Sequence, residues 1–349
     1  MVGPSSQISK LLLILLLLVV VFFIWMDYQL YLRIQNYPRD RDMSENHTSS
    51  YSKATWIGCD ISPLCGVTAK ALLLDHINYY LFSPLATIVD KALRISESGW
   101  ITPNMISFFH IFVAVLSAKC VSSDNLAYRR VAVVLFEFRT FLDDMDGHVA
   151  RARKHIKGER SETGTSGYYI DGLCDAIGCV ALLIGCFVFL KNNPPRRGYS
   201  PLPTVAPSDT KETTLVYKAK ITTQKIVRVI CLFSIQLAVN SLAWNRCIAL
   251  YQDYLERSDV PSDVFARQNV VFKSSFFLSV SWLWRVINVH NMFHFMLLAI
   301  FCDKLWEFLQ SLVYVGFVVL LSVICISEVH LSDIQSFIFK DRTSNTTNY

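Results

Sequence analysis

The sequence predicts an all-α polytopic membrane protein, and two observations carry that prediction. Only 17% of the 349 residues are charged, and the mean hydropathy is +0.36, high for a water-soluble enzyme. Long apolar runs also recur along the chain, and in lipid such a run must close its own backbone hydrogen bonds within a helix. The formal net charge of +5 is too small and too scattered for nucleic-acid binding.

The first apolar run, Leu11 to Met26, follows Lys10 and is slightly short for a bilayer unless Ile8 or Tyr28 extends it. Trp25-Met26-Asp27-Tyr28-Gln29 offers no small residues for signal cleavage. Residues 1–27 therefore read as a cytoplasmic tail and an uncleaved anchor. Residues 28–99 read as a lumenal loop, with a glycosylation sequon at Asn46 and a candidate disulfide between Cys59 and Cys65. Within it, Val67 to Leu93 has apolar runs broken by Asp75, His76, Pro84 and Asp90. That segment suits either helices at the membrane surface or buried packing.

Spans are clearer from Trp100 onward. Thr102 and Pro103 suit a helix cap and first helical position. Helices are expected at about 105–120, 131–146, 168–190, 226–243, 286–302 and 308–326. The region 270–285 is ambiguous, so seven spans are expected in all, or eight. Residues 329–349 form a polar tail with a second sequon at Asn345.

Charge orients these spans. The loop Lys191–Arg228 holds eight basic residues against Asp209 and Glu212, which assigns it to the cytoplasm. Seven spans then put the N-terminus in the cytoplasm, with Asn46, Asn345 and the helix ends bearing Asp143 and Asp171 in the lumen. The cluster Arg151, Arg153, Lys154, Lys157 and Arg160 opposes that orientation, but these charges have a local task in balancing carboxylates and binding a diphosphate.

Five aspartates, Asp143, Asp144, Asp146, Asp171 and Asp175, fall at helix ends. Each carboxylate at membrane depth costs on the order of 3 kcal/mol, and packing calls for none of them. Asp143 and Asp146 share a helix face, as do Asp171 and Asp175, while Asp144 lies about 100° round and is the outsider. Four converging carboxylates repel unless a cation intervenes. Oxygen ligands with no histidine or cysteine set nearby select Mg²⁺ or Mn²⁺, and a pair of such ions suits phosphoryl transfer. Asp175, deepest in its helix, is the candidate general base toward a lipid hydroxyl. His290, Asn291 and His294 are secondary candidates for lining the cavity. His148 and His155 read as solvated loop residues, and Cys174, Cys179 and Cys186 as packing. A transporter or ion-binding protein is the non-enzymatic alternative.

Asp143-x2-Asp146-Gly147-x2-Ala150-Arg151 followed by Gly167-x3-Asp171-x3-Asp175 resembles the signature of the CDP-alcohol phosphotransferase family, and Trp100-Ile101-Thr102-Pro103-Asn104 resembles the start of that family's first core helix. The resemblance implies a six-helix core over 100–328 plus the N-terminal transmembrane anchor. It implies that Asp143, Asp146, Asp171 and Asp175 hold two Mn²⁺ or Mg²⁺ ions, that Asp175 is also the base, and that Gly147, Ala150, Arg151 and Gly167 surround the CDP moiety. One departure is plain: fifteen residues separate Arg151 from Gly167, more than the family's usual spacing. The whole-chain layout is similar to ceramide-directed members of the family. That likeness implies CDP-ethanolamine as donor, ceramide as acceptor, a homodimer as a compatible assembly, and a Golgi membrane, with the ER as alternative. The motif alone leaves diacylglycerol and CDP-choline open.

Overall fold

A computed structural model describes residues 4–36, 58–59, 61–153, 166–195 and 221–339. Both sequons, nearly all of the insertion 152–166 and most of the loop 191–228 lie outside the described residues. Every regular element described is helical: α1 (Pro4–Asn36), α2 (Ala69–Leu73), a π-helical turn (Asn78–Phe82) running into α3 (Ser83–Leu93), α4 (Pro103–Val121), α5 (Leu126–Ala152), α6 (Ser166–Asn192), α7 (Thr223–Leu255), α8 (Ser262–Phe272), α9 (Ser275–Ile287), α10 (Val289–Phe301) and α11 (Leu305–Phe339).

Local chemistry starts these helices where expected. The Thr102 hydroxyl accepts from the Met105 amide with Pro103 at the first helical position, and Asn125 caps α5 by accepting from Ala127. Ser274 and Asn288 do the same for α9 and α10.

Among the described residues, five helices are long and apolar enough to cross a membrane: α1 from Leu13, α4, α6 from Tyr169, α7 and α11. A sixth arises if α8 and α9, bent by 57° at their junction, count as one broken span. Length and hydropathy thus select fewer helices than the seven or eight spans expected, and two helices fall short of those criteria. Helix α5 has the length, at 27 residues, but carries Arg129, Arg130, Glu137, Arg139 and three aspartates. Helix α10 is apolar but has only 13 residues. Helix α5 nevertheless runs antiparallel beside α4, from Ala132 against Ser117 to Asp146 against Ser107, with Tyr128, Val131, Val134 and Phe138 exposed along one face, and α10 packs against α5, α7 and α11.

Two apolar cores meet along α7 and α11, which at 33 and 35 residues are roughly 50 Å long. One core joins α4, α5, α6, α10 and the first halves of α7 and α11, around Phe136, Leu182, Phe233, Met296 and Leu309. The other joins Met26, Leu30 and Ile34 of α1 to α2, Tyr79, Tyr80, α9 and the later halves of α7 and α11. Much of residues 69–82 is therefore packed inward, while Leu85, Ile88 and Leu93 of α3 stay exposed. Helix α1 continues past the expected boundary at residue 27 because its carboxylate there is fully engaged. Asp27 accepts from Tyr80 (2.7 Å), Arg285 (2.8 Å) and Trp282 (3.1 Å) and lies 2.8 Å from His76 Nε2. Cys59 and Cys65 form a disulfide ahead of this segment.

Helices α4 and α6 cross tightly at Gly185, where a Cβ would fall 2.5 Å from the Ala118 carbonyl oxygen. That close approach brings the start of α6 beside α4 and, through α4, beside the end of α5.

Candidate active site

The last turns of α5 and the first turns of α6 run antiparallel at one end of the bundle, with α4 between and beneath them. One carboxylate oxygen from each of Asp143, Asp146 and Asp171 and one ring nitrogen of His110 lie within 4.8 Å of one another. Ser107 Oγ, one turn before His110 on the same face of α4, donates to Asp146 Oδ2 at 2.5 Å. Asp175 stands beside this group but outside it: its Oδ1 is ion-paired to Arg139 and lies 3.9 Å from His110 Nε2. Arg139 is itself buried and passes beside Gly178, where a Cβ would come 3.2 Å from its Nε.

The residues present fit a hard divalent cation. Asp143 Oδ1, Asp171 Oδ1 and both nitrogens of His110 are buried without a hydrogen-bond partner among the described residues. Buried acceptors left open in this way are costly unless a ligand completes them. Three carboxylates to one imidazole keep the donor set predominantly oxygen. The sequence reading of a site without histidine is corrected here, because α4 delivers His110 from 33 residues before Asp143.

The other expected residues are placed around this centre. Gly147 lies on the helix between Asp146 and Arg151, and a Cβ there would sit 3.1 Å from the Arg151 guanidinium. Ala150 is buried, Arg151 is exposed at the end of α5, and Gly167 occupies the first turn of α6. Asp144 lies outside the four-residue group, within electrostatic reach of Arg151, Asp75 and Lys70. Lys70, from α2, is within electrostatic reach of Arg151, Asp144 and Asp171, so a segment preceding the signature contributes a cation here.

The supporting contacts are specific. His148, expected to be solvated, instead lies 3.2 Å from Asp90 Oδ2. Asp90 also accepts from the Ser96 amide (2.7 Å) and hydroxyl (2.8 Å). Burial pushes its carboxyl up, but the Ser96 hydrogen bonds and His148 outweigh burial and hold it below the ordinary value of 3.8. Arg153 donates to the carbonyls of Ser96 (2.8 Å), Ile95 (2.9 Å) and Ser98, pinning the end of α5 to the 95–98 turn. His294 Nδ1 lies 2.9 Å from Glu137 of α5, with its Nε2 3.8 Å from the buried Asp75.

A cavity of about 960 Å³ opens from the site between α6, α7 and α10. Asp171, Asp175 and Arg139 form its polar end, and Leu183, Phe187 and Ile230 are among the residues of its apolar wall. Such a chamber, polar at the carboxylates and apolar along the helices, suits an amphipathic ligand with its polar end at Asp171 and Asp175.

His110, Ser107 and Arg139 are the candidate site residues that the aspartate pattern misses. Arg139 was within reach of it: positions 139, 143 and 146 recur at helical spacing on one face. Ser107 and His110 share a face of an apolar helix, but nothing local connects that helix to the aspartates.

The family model described as ceramide phosphoethanolamine synthase matches residues 1–341. The chain is 50% identical, over an alignment of 382 residues covering 97% of each protein, to the ceramide phosphoethanolamine synthase of Drosophila melanogaster. No solved structure matches it. With both signature helices in place and the match running nearly end to end, the chain belongs to the ceramide phosphoethanolamine synthase family.

Proposed function

We infer that the chain transfers phosphoethanolamine from CDP-ethanolamine to ceramide, giving ceramide phosphoethanolamine and CMP. The observation that carries this is the convergence of four titratable side chains from α4, α5 and α6 at the mouth of a lipid-sized cavity, in a chain half identical to a synthase of that name.

Asp143, Asp146 and Asp171, with His110, would hold divalent metal. When bound, Mn²⁺ or Mg²⁺, as one ion or a pair, neutralises diphosphate charge and favours departure of the nucleotide phosphate. Asp175 takes the proton from the primary hydroxyl of ceramide, and that oxygen bonds to the phosphorus bearing ethanolamine. The bond from that phosphorus to the bridging oxygen breaks, and CMP leaves with the electron pair. Arg139, ion-paired to its Oδ1, holds Asp175 in position until the acceptor arrives. Arg151, at the end of α5, meets the diphosphate, with Gly147 leaving room for its guanidinium and Ala150 and Gly167 flanking the nucleotide.

The C-terminal ends of α1, α7 and α11 gather in one core, at the same end of the bundle as the aspartates. Chain segments carrying Asn46 and Asn345 leave from the ends of α1 and α11. This supports a lumenal active site, with the basic loop 191–228 in the cytoplasm, and the membrane proposed is that of the Golgi, with the ER as alternative.

The test is purified protein in lipid with Mn²⁺ or Mg²⁺, given CDP-ethanolamine or CDP-choline crossed with ceramide or diacylglycerol. Ceramide phosphoethanolamine as the main product is expected. Phosphatidylethanolamine without ceramide phosphoethanolamine would overturn the acceptor and leave the reaction class standing. Glycosylation of a sequon engineered into 196–220 would invert the orientation.

A further inference from the structure

We propose that His290 of α10, together with Ser241 and Asn245 of α7, reads the amide and the 3-hydroxyl of ceramide and so sets the preference for ceramide over diacylglycerol. This rests on ceramide as acceptor, and deepens that reading by naming the residues that recognise it.

All three side chains line the cavity that also exposes Asp175. Ser241 and Asn245 are four apart and share one face of α7. His290 approaches from α10, its ring edge-on to Trp244 with centroids 5.3 Å apart, and it lies within electrostatic reach of Asp175. Elsewhere on this wall Ser234 Oγ donates to the Ile230 carbonyl at 2.9 Å, and His294 Nδ1 is paired with Glu137 while its Nε2 faces Asp75 at 3.8 Å. His290, Asn245 and Ser241 have no hydrogen-bonding partner among the described residues, and they open onto an otherwise mostly apolar surface.

The chemistry of the acceptor selects the partner. For the primary hydroxyl to reach Asp175, the groups on the next two carbons must lie against the adjacent wall. In ceramide these are an amide N–H and a hydroxyl, both donors. In diacylglycerol the equivalent positions hold ester oxygens and a methylene, with no donor. Ring nitrogen, carboxamide oxygen and serine hydroxyl can all accept. Ceramide's two donors can meet the ring nitrogen and the carboxamide oxygen, with the Ser241 hydroxyl free to donate to the lipid carbonyl, whereas diacylglycerol brings acceptors only and leaves the ring nitrogen and the carboxamide oxygen without a donor in a cavity from which the lipid excludes water. A site built to hydrogen-bond a substrate group discriminates strongly against the analogue lacking it, for this reason.

The experiment crosses enzyme and acceptor. Wild type, His290→Phe, His290→Gln and Asn245→Leu are each assayed in lipid with ceramide, 3-deoxyceramide and diacylglycerol. Phenylalanine keeps the ring against Trp244 and removes only the polar atoms. His290→Phe is expected to lose about 10-fold or more in kcat/KM on ceramide, chiefly through KM. Its loss on 3-deoxyceramide and diacylglycerol is expected to be much smaller, and His290→Gln should recover part of the ceramide rate. Asn245→Leu should shift the acceptor ratio in the same direction. Equal losses on all three acceptors, or no change on any, would overturn the proposal. Wild-type protein that used diacylglycerol and not ceramide would instead remove the acceptor assignment beneath it.

Discussion

Arg139 and His110 both face the Asp175 carboxylate, one as a buried ion-pair partner and the other at 3.9 Å. Held this way, Asp175 stands beside the four-residue group, and the role proposed for it is proton transfer. Asp175→Asn keeps the shape and removes the proton acceptor. Its kcat should fall by about 10²–10⁴-fold, with KM for the donor and Mn²⁺ binding by calorimetry nearly unchanged. Loss of metal binding in this variant would reassign Asp175 as an essential ligand. His110 makes the opposite prediction, since it sits inside the 4.8 Å group. His110→Ala should raise the Mn²⁺ concentration for half-maximal activity by about 10-fold or more, and saturating Mn²⁺ should restore much of kcat. The aspartates stand out in sequence because charge at membrane depth is costly and five in two short stretches demand a reason. His110 does not, because one histidine on an apolar helix is ordinary until the fold shows what it faces.

At the scale of elements, α1 is the unexpected case. Its first part, from Leu11 to Trp25, is largely exposed along an apolar surface, as befits a lipid-facing anchor, while Met26, Leu30 and Ile34 are buried. Asp27 at that transition ties it to the π-helical turn and α9. Arg285, 3% exposed, also donates to the Leu74 carbonyl (2.9 Å) and stacks on Tyr79 and Tyr80. Asp27→Ala would strand that guanidinium in the core, so stability should drop by about 3 kcal/mol, read as a lower melting temperature in detergent. An unchanged melting temperature would make α1 a detachable tether. The end of α5 depends on a second carboxylate. Because the Asp90 carboxyl is held below 3.8, its contribution is fully present above pH 4 and is lost as pH falls through its lowered value. The stability gap between wild type and Asp90→Ala should therefore be largest near neutrality and narrow below pH 4 in urea titrations. A gap constant with pH would mean that the site acts through packing alone. Neither tie is visible as a local pattern: Asp27 pairs with residues about 50 and 258 positions away, and Asp90 and His148 are 58 apart.

For the whole molecule, the fold class and the reacting end of the bundle were readable before any coordinates. Hydropathy alone marks the helices, because lipid forces each apolar run to satisfy its backbone internally. Periodicity places Asp143 with Asp146 and Asp171 with Asp175, because helical geometry is local. Hydropathy and length select fewer helices than the seven or eight spans expected, since α5 carries charges that it turns into the protein interior and α10 stops after 13 residues. Local composition thus specified an all-helical membrane protein and its paired carboxylates. Contacts between residues far apart in sequence supplied the rest: His110 among the aspartates, Arg139 against Asp175, Lys70 and Asp75 from the N-terminal region, and the chamber between α6, α7 and α10. Those contacts depend on how helices cross, as at Gly185 against Ala118, and a crossing belongs to two helices at once.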